Sequence, residues 1–241
     1  DGSICIDRVE PTEDDLEAIA IEGVARILLT NRNHSRAANR VRDRTGARTA
    51  IHGSDAEHAR NEGTELDDTL DGLAGNDTLN GLAGDDVIYG GDGADQIRGD
   101  AGNDYLEGGT GADALSGKLG DDILSGGLGD DRLESNAGND RVYAGDGHDI
   151  IANEVGADHV YAQTDLDEIS AGPQASNEVT QVDYTTTLGD SVTLSGSDAF
   201  QQRVGADLEF LRSSPDGQAM LGEFDAAAAN GNSVSISELQ N

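Results

Sequence analysis

Aspartate recurs every nine residues through the middle of this chain, in a fixed relation to glycine and to an aliphatic residue. Ten consecutive nonapeptides from Gly72 all have Gly at position 4, Asp at position 6 and Leu, Ile or Val at position 8. They read GLAGNDTLN, GLAGDDVIY, GGDGADQIR, GDAGNDYLE, GGTGADALS, GKLGDDILS, GGLGDDRLE, SNAGNDRVY, AGDGHDIIA and NEVGADHVY. Residues 63–71 and 162–170 are degenerate copies that keep the Asp and the aliphatic residue but lose the position-4 Gly. A fixed period is the signature of a repeat architecture, and disorder gives no reason to keep Asp at every equivalent position.

The spacing of these carboxylates suits calcium. Glycines at positions 1, 2 and 4 permit a tight turn whose carbonyls approach a ligand, and x-Leu-x suits a three-residue strand with its middle side chain inside. Two nonapeptides then form one turn of a coil, and unit n lies over unit n+2. Stacked strands are about 4.7–4.9 Å apart, roughly twice a calcium–oxygen distance of about 2.3–2.6 Å. Two stacked carboxylates can therefore share a Ca²⁺, whereas Mg²⁺ requires shorter bonds and retains water.

This stacking predicts two files of metal-ligating aspartates. The first file is Asp77, Asp95, Asp113, Asp131 and Asp149, and the second file is Asp86, Asp104, Asp122, Asp140 and Asp158. Sites between successive members give about eight calcium ions, and Asp68 and Asp167 are candidates to extend the files by one site each. The charge distribution agrees with this prediction. Residues 63–170 hold 26 acidic and 4 basic side chains, so they carry a net charge of −22 out of the formal net charge of −33 for the chain. Such a charge disfavours nucleic acid and anionic membranes as partners.

Units such as GGDGADQIR resemble the RTX (hemolysin-type) calcium-binding repeat, G-G-x-G-x-D-x-U-x. The resemblance implies a parallel β-roll in which the position-6 Asp of units n and n+2 and carbonyls of the glycine turns hold the metal. Carried onto this chain, those carbonyls belong to Gly90, Asp92, Gly99, Ala101, Gly108, Thr110, Gly117, Leu119, Gly126 and Leu128. Ser135, Ala144 and Asn153 replace the position-1 Gly, and Asp165 replaces the position-4 Gly. We expect the sites at these departures to be weaker or absent.

The same resemblance implies a secreted bacterial protein, exported unfolded by type I secretion machinery and folded by calcium outside the cell. Extracellular calcium modules bind at about 10⁻⁴–10⁻³ M, so the repeats would be unfolded in the cytosol. Cys5 is the single cysteine, which excludes an intrachain disulfide. No apolar run approaches the roughly 18 residues of a membrane span.

Residues 1–62 differ in pattern. The segments SICIDRV, VARILLT and ARTAIH read as strands that alternate with helical stretches, which predicts a small α/β (βαβαβ) unit with parallel strands. The stretch from Ile27 to Ala59 resembles a strand–loop–helix piece of the metallo-β-lactamase fold. That family's zinc-binding T-H-x-H-x-D-H loop is here Thr30-Asn31-Arg32-Asn33-His34-Ser35-Arg36, in which the ligands are replaced. His52, Asp55 and His58 form another candidate ligand cluster, although three polar residues on a short surface helix are usually only solvated.

Residues 171–241 read as short strands followed by two helices, DAFQQRVGADLEFLRS and DGQAMLGEFDAAAA. We expect this segment to cover the open end of the roll, as the ends of repeat arrays are covered. The stretch from Phe200 to Glu238 also resembles the part of bacterial effector zinc metalloproteases that precedes their H-E-x-x-H zinc helix. No histidine follows His159, so catalytic residues of that kind would lie outside this sequence.

The sequence therefore predicts a mainly β protein, with a parallel β-roll at 63–170 between a small α/β unit at 1–62 and a capping region at 171–241. The favoured function is calcium binding by a roll that folds on binding Ca²⁺ and acts as a folding, export or stability module. The alternative is part of a secreted hydrolase or zinc metalloprotease. An adhesive face is disfavoured because the position-7 side chains are mixed: Thr78, Val87, Gln96, Tyr105, Ala114 and Ile123.

Overall fold

The structure is a computed structural model that describes residues 3–6, 26–29, 48–51, 60–63, 67–163, 165–184 and 187–238. In the N-terminal region, strands β1 (Ser3–Ile6), β2 (Arg26–Leu29) and β3 (Arg48–Ile51) form a parallel sheet in that order. They lie where the sequence predicted strands. The helices expected between them, the loop 30–36 and the residues 52–58 fall outside the described residues.

The repeats form a parallel β-solenoid with two seven-stranded sheets. The first sheet contains β4 (Arg60–Glu62), β6 (Thr78–Ala83), β8 (Gln96–Ala101), β10 (Ala114–Leu119), β12 (Arg132–Ala137), β14 (Ile150–Gly156) and β16 (Glu168–Ala175). The second sheet contains β5 (Thr69–Asp71), β7 (Val87–Asp92), β9 (Tyr105–Thr110), β11 (Ile123–Leu128), β13 (Arg141–Asp146), β15 (His159–Ala162) and β17 (Glu178–Gln181). Strands alternate between the sheets along the chain, so the predicted coil of two units per turn is confirmed.

The core is one thin layer between the sheets, made by the position-8 residues. All ten of these side chains in the regular units are at most 1% exposed. They are Leu79, Ile88, Ile97, Leu106, Leu115, Leu124, Leu133, Val142, Ile151 and Val160. Period-2 alternation explains this, because the flanking positions 7 and 9 then point outward.

The strands are longer than the three residues that the sequence predicted. Between β9 and β11 the parallel register joins Leu106 to Leu124, and it resumes at Gly109 with Gly127. The pairing is interrupted at position 1, where Gly108 and Gly126 stand, so each strand runs on into the glycine turn. Position 2 there needs a left-handed backbone: Gly109 has φ +106°, and a Cβ on it would lie 2.2 Å from the Gly91 carbonyl oxygen.

The solenoid extends beyond the repeat pattern at both ends. Strand β4 pairs with β6 before the first degenerate unit, and β16 and β17 continue the sheets to Gln181. The pattern ends at Ser170 because the next turn contains an extra residue: Asn153 pairs with Ala171, but Val155 pairs with Gln174. Pro173 lies in this irregular stretch of β16, which is the last strand of its sheet and so can lack an N–H.

The C-terminal region contains the two helices that the sequence predicted. Helix α1 (Asp198–Arg212) begins after the N-cap Ser197, and α2 (Pro215–Ala229) begins after the N-cap Ser214 with Pro at its first position. Strands β18 (Val192–Ser195) and β19 (Val234–Ser237) pair in parallel beside them. Among the described residues, neither helix has the length and apolar character needed to cross a membrane.

Helix α1 lies along the outer side of the second sheet rather than over an open end. The Phe210 ring packs edge-on against Tyr105 of β9 and Tyr143 of β13. At the N-terminal side of the solenoid, Gln202 donates to the Leu73 carbonyl at 2.9 Å. At the C-terminal end, β16 and β17 add the last strands of the two sheets, so the beginning of the predicted capping region at 171–241 extends the solenoid while α1 packs on its side.

Candidate metal centres

Each position-6 aspartate stands at the end of a glycine turn, one residue before a strand. First-file aspartates precede strands of the first sheet, and second-file aspartates precede strands of the second sheet. The ten carboxylates of the regular units are at most 2% exposed, and Asp68 is 6% exposed. A buried carboxylate is costly unless it is paired or coordinates a metal. These side chains therefore need partners.

One oxygen of each carboxylate is held by the backbone two units earlier. The Asp95 Oδ1 accepts a hydrogen bond from the Asp77 N–H at 2.7 Å, and the Asp104 Oδ1 accepts one from the Asp86 N–H at 2.8 Å. The same bond, of 2.7–3.1 Å, joins every successive pair along both files. The two predicted stacks of carboxylates are thus present in the fold, with each side chain fixed in orientation.

The second carboxylate oxygen is buried without a hydrogen-bond partner among the described residues. This holds for the Oδ2 atoms of Asp86, Asp95, Asp104, Asp113, Asp122, Asp131, Asp140, Asp149 and Asp158. A buried polar atom left unsatisfied costs about 1–3 kcal/mol, and more when it is charged. Because nine such atoms recur at the same position of successive units, we infer that they face a ligand.

In the six units that contain Asp86 to Asp131, the unpartnered oxygen faces a space that glycine at position 1 leaves open. A Cβ on Gly90 would lie 2.5 Å from the Asp95 Oδ2 and 2.5 Å from the Gly108 carbonyl oxygen. A Cβ on Gly108 would lie equally close, at 2.5 Å, to the Asp113 Oδ2 and to the Gly126 carbonyl oxygen. A carboxylate oxygen and a main-chain oxygen thus converge on one point, at distances within the range of calcium–oxygen bonds.

The carbonyls named in the sequence prediction fall into two groups. The position-1 carbonyls at Gly90, Gly108 and Gly126 face this space. The position-3 carbonyls already accept ladder hydrogen bonds from position-4 glycines two units earlier, as between the Gly93 N–H and the Thr110 oxygen at 2.8 Å. The same bond occupies Asp92, Ala101, Leu119 and Leu128. A carbonyl has two lone pairs, so these oxygens retain one for another partner.

Burial raises the pKa values of eight of the ten carboxylates in the regular units. It raises the pKa of Asp95 to about 6, of Asp113 to about 7 and of Asp131 to about 8, against backbone hydrogen bonds that lower it. Neighbouring carboxylates of the same file raise it further. Burial is also the largest cause that raises the pKa values of Asp86, Asp104, Asp122, Asp140 and Asp149 to about 6–7, and nearby carboxylates raise them further. The negative charge of these sites is thus destabilised, and a cation would relieve it.

The donor set of each centre consists of oxygens. Within the described part of the chain, no three His, Cys, Asp or Glu side chains gather as a metal cluster. The atoms that face each candidate centre are carboxylate and main-chain carbonyl oxygens. Hard oxygen donors of this kind suit calcium, whereas zinc takes nitrogen and sulfur ligands as well.

The C-terminal ends of the two files differ from their middles. Asp167 has both carboxylate oxygens in hydrogen bonds, because its Oδ1 accepts from the Asp149 N–H at 3.1 Å and its Oδ2 from the Gln163 N–H at 2.7 Å. At Ala144 a methyl group already occupies position 1, five residues before Asp149, and it is fully buried. In the second file, Ser135 and Asn153 put polar side chains at that position, and the Ser135 hydroxyl lies 3.3 Å from the Asn153 Oδ1.

A second ladder runs beside the second file and was not predicted. The position-5 side chain of one unit accepts from the N–H of the position-5 residue two units later, as between Asp85 Oδ1 and the Asn103 N–H at 2.8 Å. Asp67, Asn103, Asp121 and Asn139 continue this chain. The sequence signal was Asp or Asn at position 5 in alternate units, which is visible only once the stacking period of two units is applied.

Comparison with known families agrees with this architecture. Residues 62–97, 89–124, 116–151 and 125–160 match the model of the RTX calcium-binding nonapeptide repeat in four overlapping copies. Residues 189–241 match the model of a peptidase family, M91, described as effector protein. The resemblances to the RTX repeat and to the effector peptidase segment are thereby confirmed. No curated protein and no solved structure matches the chain.

Proposed function

Because residues 62–160 carry RTX calcium-binding nonapeptide repeats, we propose that the two files of position-6 aspartates bind calcium between successive rungs of the solenoid. The observation that carries this proposal is the row of nine buried Oδ2 atoms without hydrogen-bond partners among the described residues. At Asp86, Asp95, Asp113, Asp122 and Asp131, this oxygen and a position-1 carbonyl oxygen face one point. Calcium accepts six to eight oxygen ligands at about 2.3–2.6 Å and tolerates irregular geometry.

The ligand set follows from the turn. The Oδ2 atoms of Asp86, Asp95, Asp104, Asp113, Asp122, Asp131, Asp140, Asp149 and Asp158 supply the charge. Asp77 and Asp68 belong to the same stacks through their backbone N–H groups. The position-1 carbonyls complete the inner part of each centre, and the position-3 carbonyls contribute their second lone pair. This gives about eight ions, with weaker sites where Ser135, Ala144 and Asn153 occupy position 1 and little contribution from Asp167.

Calcium binding is coupled to folding in this proposal. The core is a single column of aliphatic residues. The apolar surface that it buries is small compared with the number of residues whose conformational entropy is lost on folding. Against it, the folded repeats bury ten like-charged carboxylates, and the raised pKa values of carboxylates such as Asp113 and Asp131 report the cost of their charge. Bound calcium neutralises these carboxylates, so the free energy of calcium binding contributes directly to the free energy of folding.

Such coupling suits a secreted bacterial protein. At cytosolic calcium the repeats would remain unfolded and compatible with export through type I secretion machinery, and at the millimolar calcium outside they would fold. The role of the roll is then a folding, export and stability module for the segments beside it.

The match of residues 189–241 to the effector family supports a second function, that of a peptidase-type effector. This would place the roll beside a hydrolytic unit that it helps to export and fold. The part of the match in this chain contains no histidine, so catalysis by an H-E-x-x-H helix would require residues outside this sequence. Zinc at a stoichiometry of one, measured in the full-length protein, would support this function, and calcium alone would favour the first.

One experiment tests calcium binding directly. Asp131→Asn removes the charge and one metal-facing oxygen while it keeps the Oδ1 that accepts from the Asp113 N–H. Asp130→Asn makes the same charge change one residue earlier and keeps the Oδ1 that accepts from the His148 N–H. We expect Asp131→Asn to raise the calcium concentration at the folding midpoint about ten-fold or more, and Asp130→Asn to leave it nearly unchanged. Far-ultraviolet circular dichroism during calcium titration reads this out, and equal effects of both variants would contradict the assignment.

A further inference from the structure

The solenoid contains one more rung than the repeat pattern shows, and Asn177 stands in it where the repeats have aspartate. Glu178 pairs with His159, and the Glu178 N–H donates to the Asp158 carbonyl at 2.8 Å, as the residue after each position-6 Asp does in the repeats. The extra residue near Pro173 moves the spacing to Asp158 from 18 to 19 residues. Asn177 is therefore the next member of the second file.

A groove beside the second file confirms this equivalence. It is lined by positions 5, 6 and 7 of four successive second-file turns, which include Asp121–Ile123, Asn139–Arg141 and Ala157–His159. Ser176, Asn177 and Glu178 form the fourth set. The amide of Asn177 thus occupies the row of the carboxylates.

The Asn177 side chain does not take part in the hydrogen-bond ladder of the second file, and its oxygen is therefore available to a ligand. In the pair below it, the Asp140 N–H donates to the Asp158 Oδ1 at 3.1 Å. At Asn177, both Oδ1 and Nδ2 are buried and lack a hydrogen-bond partner among the described residues. Asp158 is 1% exposed, and its Oδ2 is likewise unpartnered in the described structure. Two buried oxygens of adjacent rungs are thus left available at this end of the file.

The end of the first file shows that this is not a general property of solenoid ends. There the Oδ2 of the last carboxylate, Asp167, accepts a hydrogen bond from the Gln163 N–H at 2.7 Å. A backbone group thus satisfies the oxygen that is unpartnered in the regular units. No such N–H serves Asn177 within the described residues.

We propose that Asp158 and Asn177 hold a further calcium ion at the C-terminal end of the second file, in a centre with one carboxylate instead of two. The proposal rests on the proposed function of the regular files. Asn oxygens are accepted calcium ligands, and affinity is set partly by the number of charged ligands. The ion at this centre is therefore bound more weakly than those between two aspartates. It gives the Asn177 Oδ1 a partner and fixes the irregular last rung to the repeats.

The test uses the whole chain and two changes at one residue. Asn177→Ala removes the amide oxygen, and Asn177→Asp supplies the carboxylate that the regular rungs have. Asn80→Ala is the matched control, because its Oδ1 is also buried and unpartnered among the described residues, but it lies on a strand away from both files. Native mass spectrometry counts bound calcium across a titration, and circular dichroism follows folding in the same samples.

We expect Asn177→Ala to hold one calcium fewer than the parent chain, and Asn177→Asp to keep the parent's number while its weakest ion binds about ten-fold more tightly. Asn80→Ala should match the parent. Identical ion counts and midpoints for the parent and both Asn177 variants would overturn this centre and leave the regular files untouched. A parent chain that takes up no calcium would instead overturn the proposed function, and this centre with it.

Discussion

The guanidinium carbon of Arg203 lies 3.3 Å from the centroid of the Tyr89 ring, while its NH2 group donates to the Asp71 Oδ2 at 2.8 Å. Arg203 belongs to helix α1, and Tyr89 and Asp71 belong to the second sheet. This cation–π and ion-pair contact joins the effector-like segment to the repeats. Farther along the helix, the Phe210 and Tyr143 ring centroids are 4.7 Å apart, and the Phe210 and Tyr105 centroids are 6.0 Å apart.

The surface under α1 exists only when the repeats are folded, since Tyr89, Tyr105 and Tyr143 come from three different rungs. We therefore expect calcium to order α1, although no proposed calcium ligand lies on it. Hydrogen exchange of the α1 amides should slow on calcium addition together with that of β9 and β13. Equal protection of α1 with and without calcium would contradict this coupling.

Loss of the Phe210 ring should loosen the helix. Phe210→Ala removes both aromatic contacts, so we expect the free energy of local opening of α1 to fall by about 1–3 kcal/mol, less than for a fully buried aromatic residue. Met220→Ala on α2 is the control, because that side chain is 40% exposed. Hydrogen exchange at saturating calcium measures both variants, and calcium uptake by the repeats should be unchanged in both.

The position-8 column should set the stability of the calcium-loaded roll. Leu115→Ala opens a cavity in a core one residue thick, and we expect it to cost about 2–5 kcal/mol of unfolding free energy. Leu119→Ala removes the same side chain from a site that is 62% exposed and should change stability by less than about 0.5 kcal/mol. Urea unfolding at saturating calcium compares them, and similar midpoints for the two variants would contradict the single-column core.

Calcium binding should require glycine at position 1, because a larger residue there fills the space for the ion. Gly108→Ala places a methyl group 2.5 Å from the Asp113 Oδ2 and from the Gly126 carbonyl oxygen, so we expect weaker calcium binding in the first file. Ala144 offers the reverse change, since Ala144→Gly clears the corresponding position beside Asp149. We expect opposite shifts of the calcium midpoint in the two variants by calorimetric titration. Shifts in the same direction would show that backbone strain, rather than ion space, decides the affinity.

The raised carboxylate pKa values predict opposite pH responses with and without calcium. Asp113 and Asp131 have pKa values of about 7 and about 8 in the folded repeats, against about 3.9 in an unfolded chain. The folded state then binds more protons between these values, so the metal-free roll is most stable below about pH 4 and loses that contribution as the pH rises to about 8. Calcium competes with the same protons, so the calcium midpoint should rise as the pH falls from 8 to 5. Circular dichroism in calcium-depleted and calcium-containing buffers at several pH values checks both signs, and parallel trends would contradict the assignment.

The coil follows from the repeat pattern alone. A strict nine-residue period with Gly, Asp and an aliphatic residue at fixed positions leaves one arrangement that buries every aliphatic side chain, and Leu106 and Asp104 are placed by it without any long-range information. The stacking of Asp86, Asp104 and Asp122 follows from the same period, because parallel strands pair in register.

The strand lengths, the helix packing and the last rung of the solenoid depend on contacts between distant parts of the chain. The six-residue strands and the interruption at position 1 depend on how the glycine turns of adjacent rungs pair, which no single unit encodes. Tyrosines 89, 105, 143 and 161 share no position that suggests a common role in the sequence, but the alternation of units between the two sheets brings all four onto the second sheet, where α1 packs against three of them. Asn177 joins the second file through an insertion that breaks the period, because backbone pairing tolerates an extra residue in an edge strand and a periodic pattern does not.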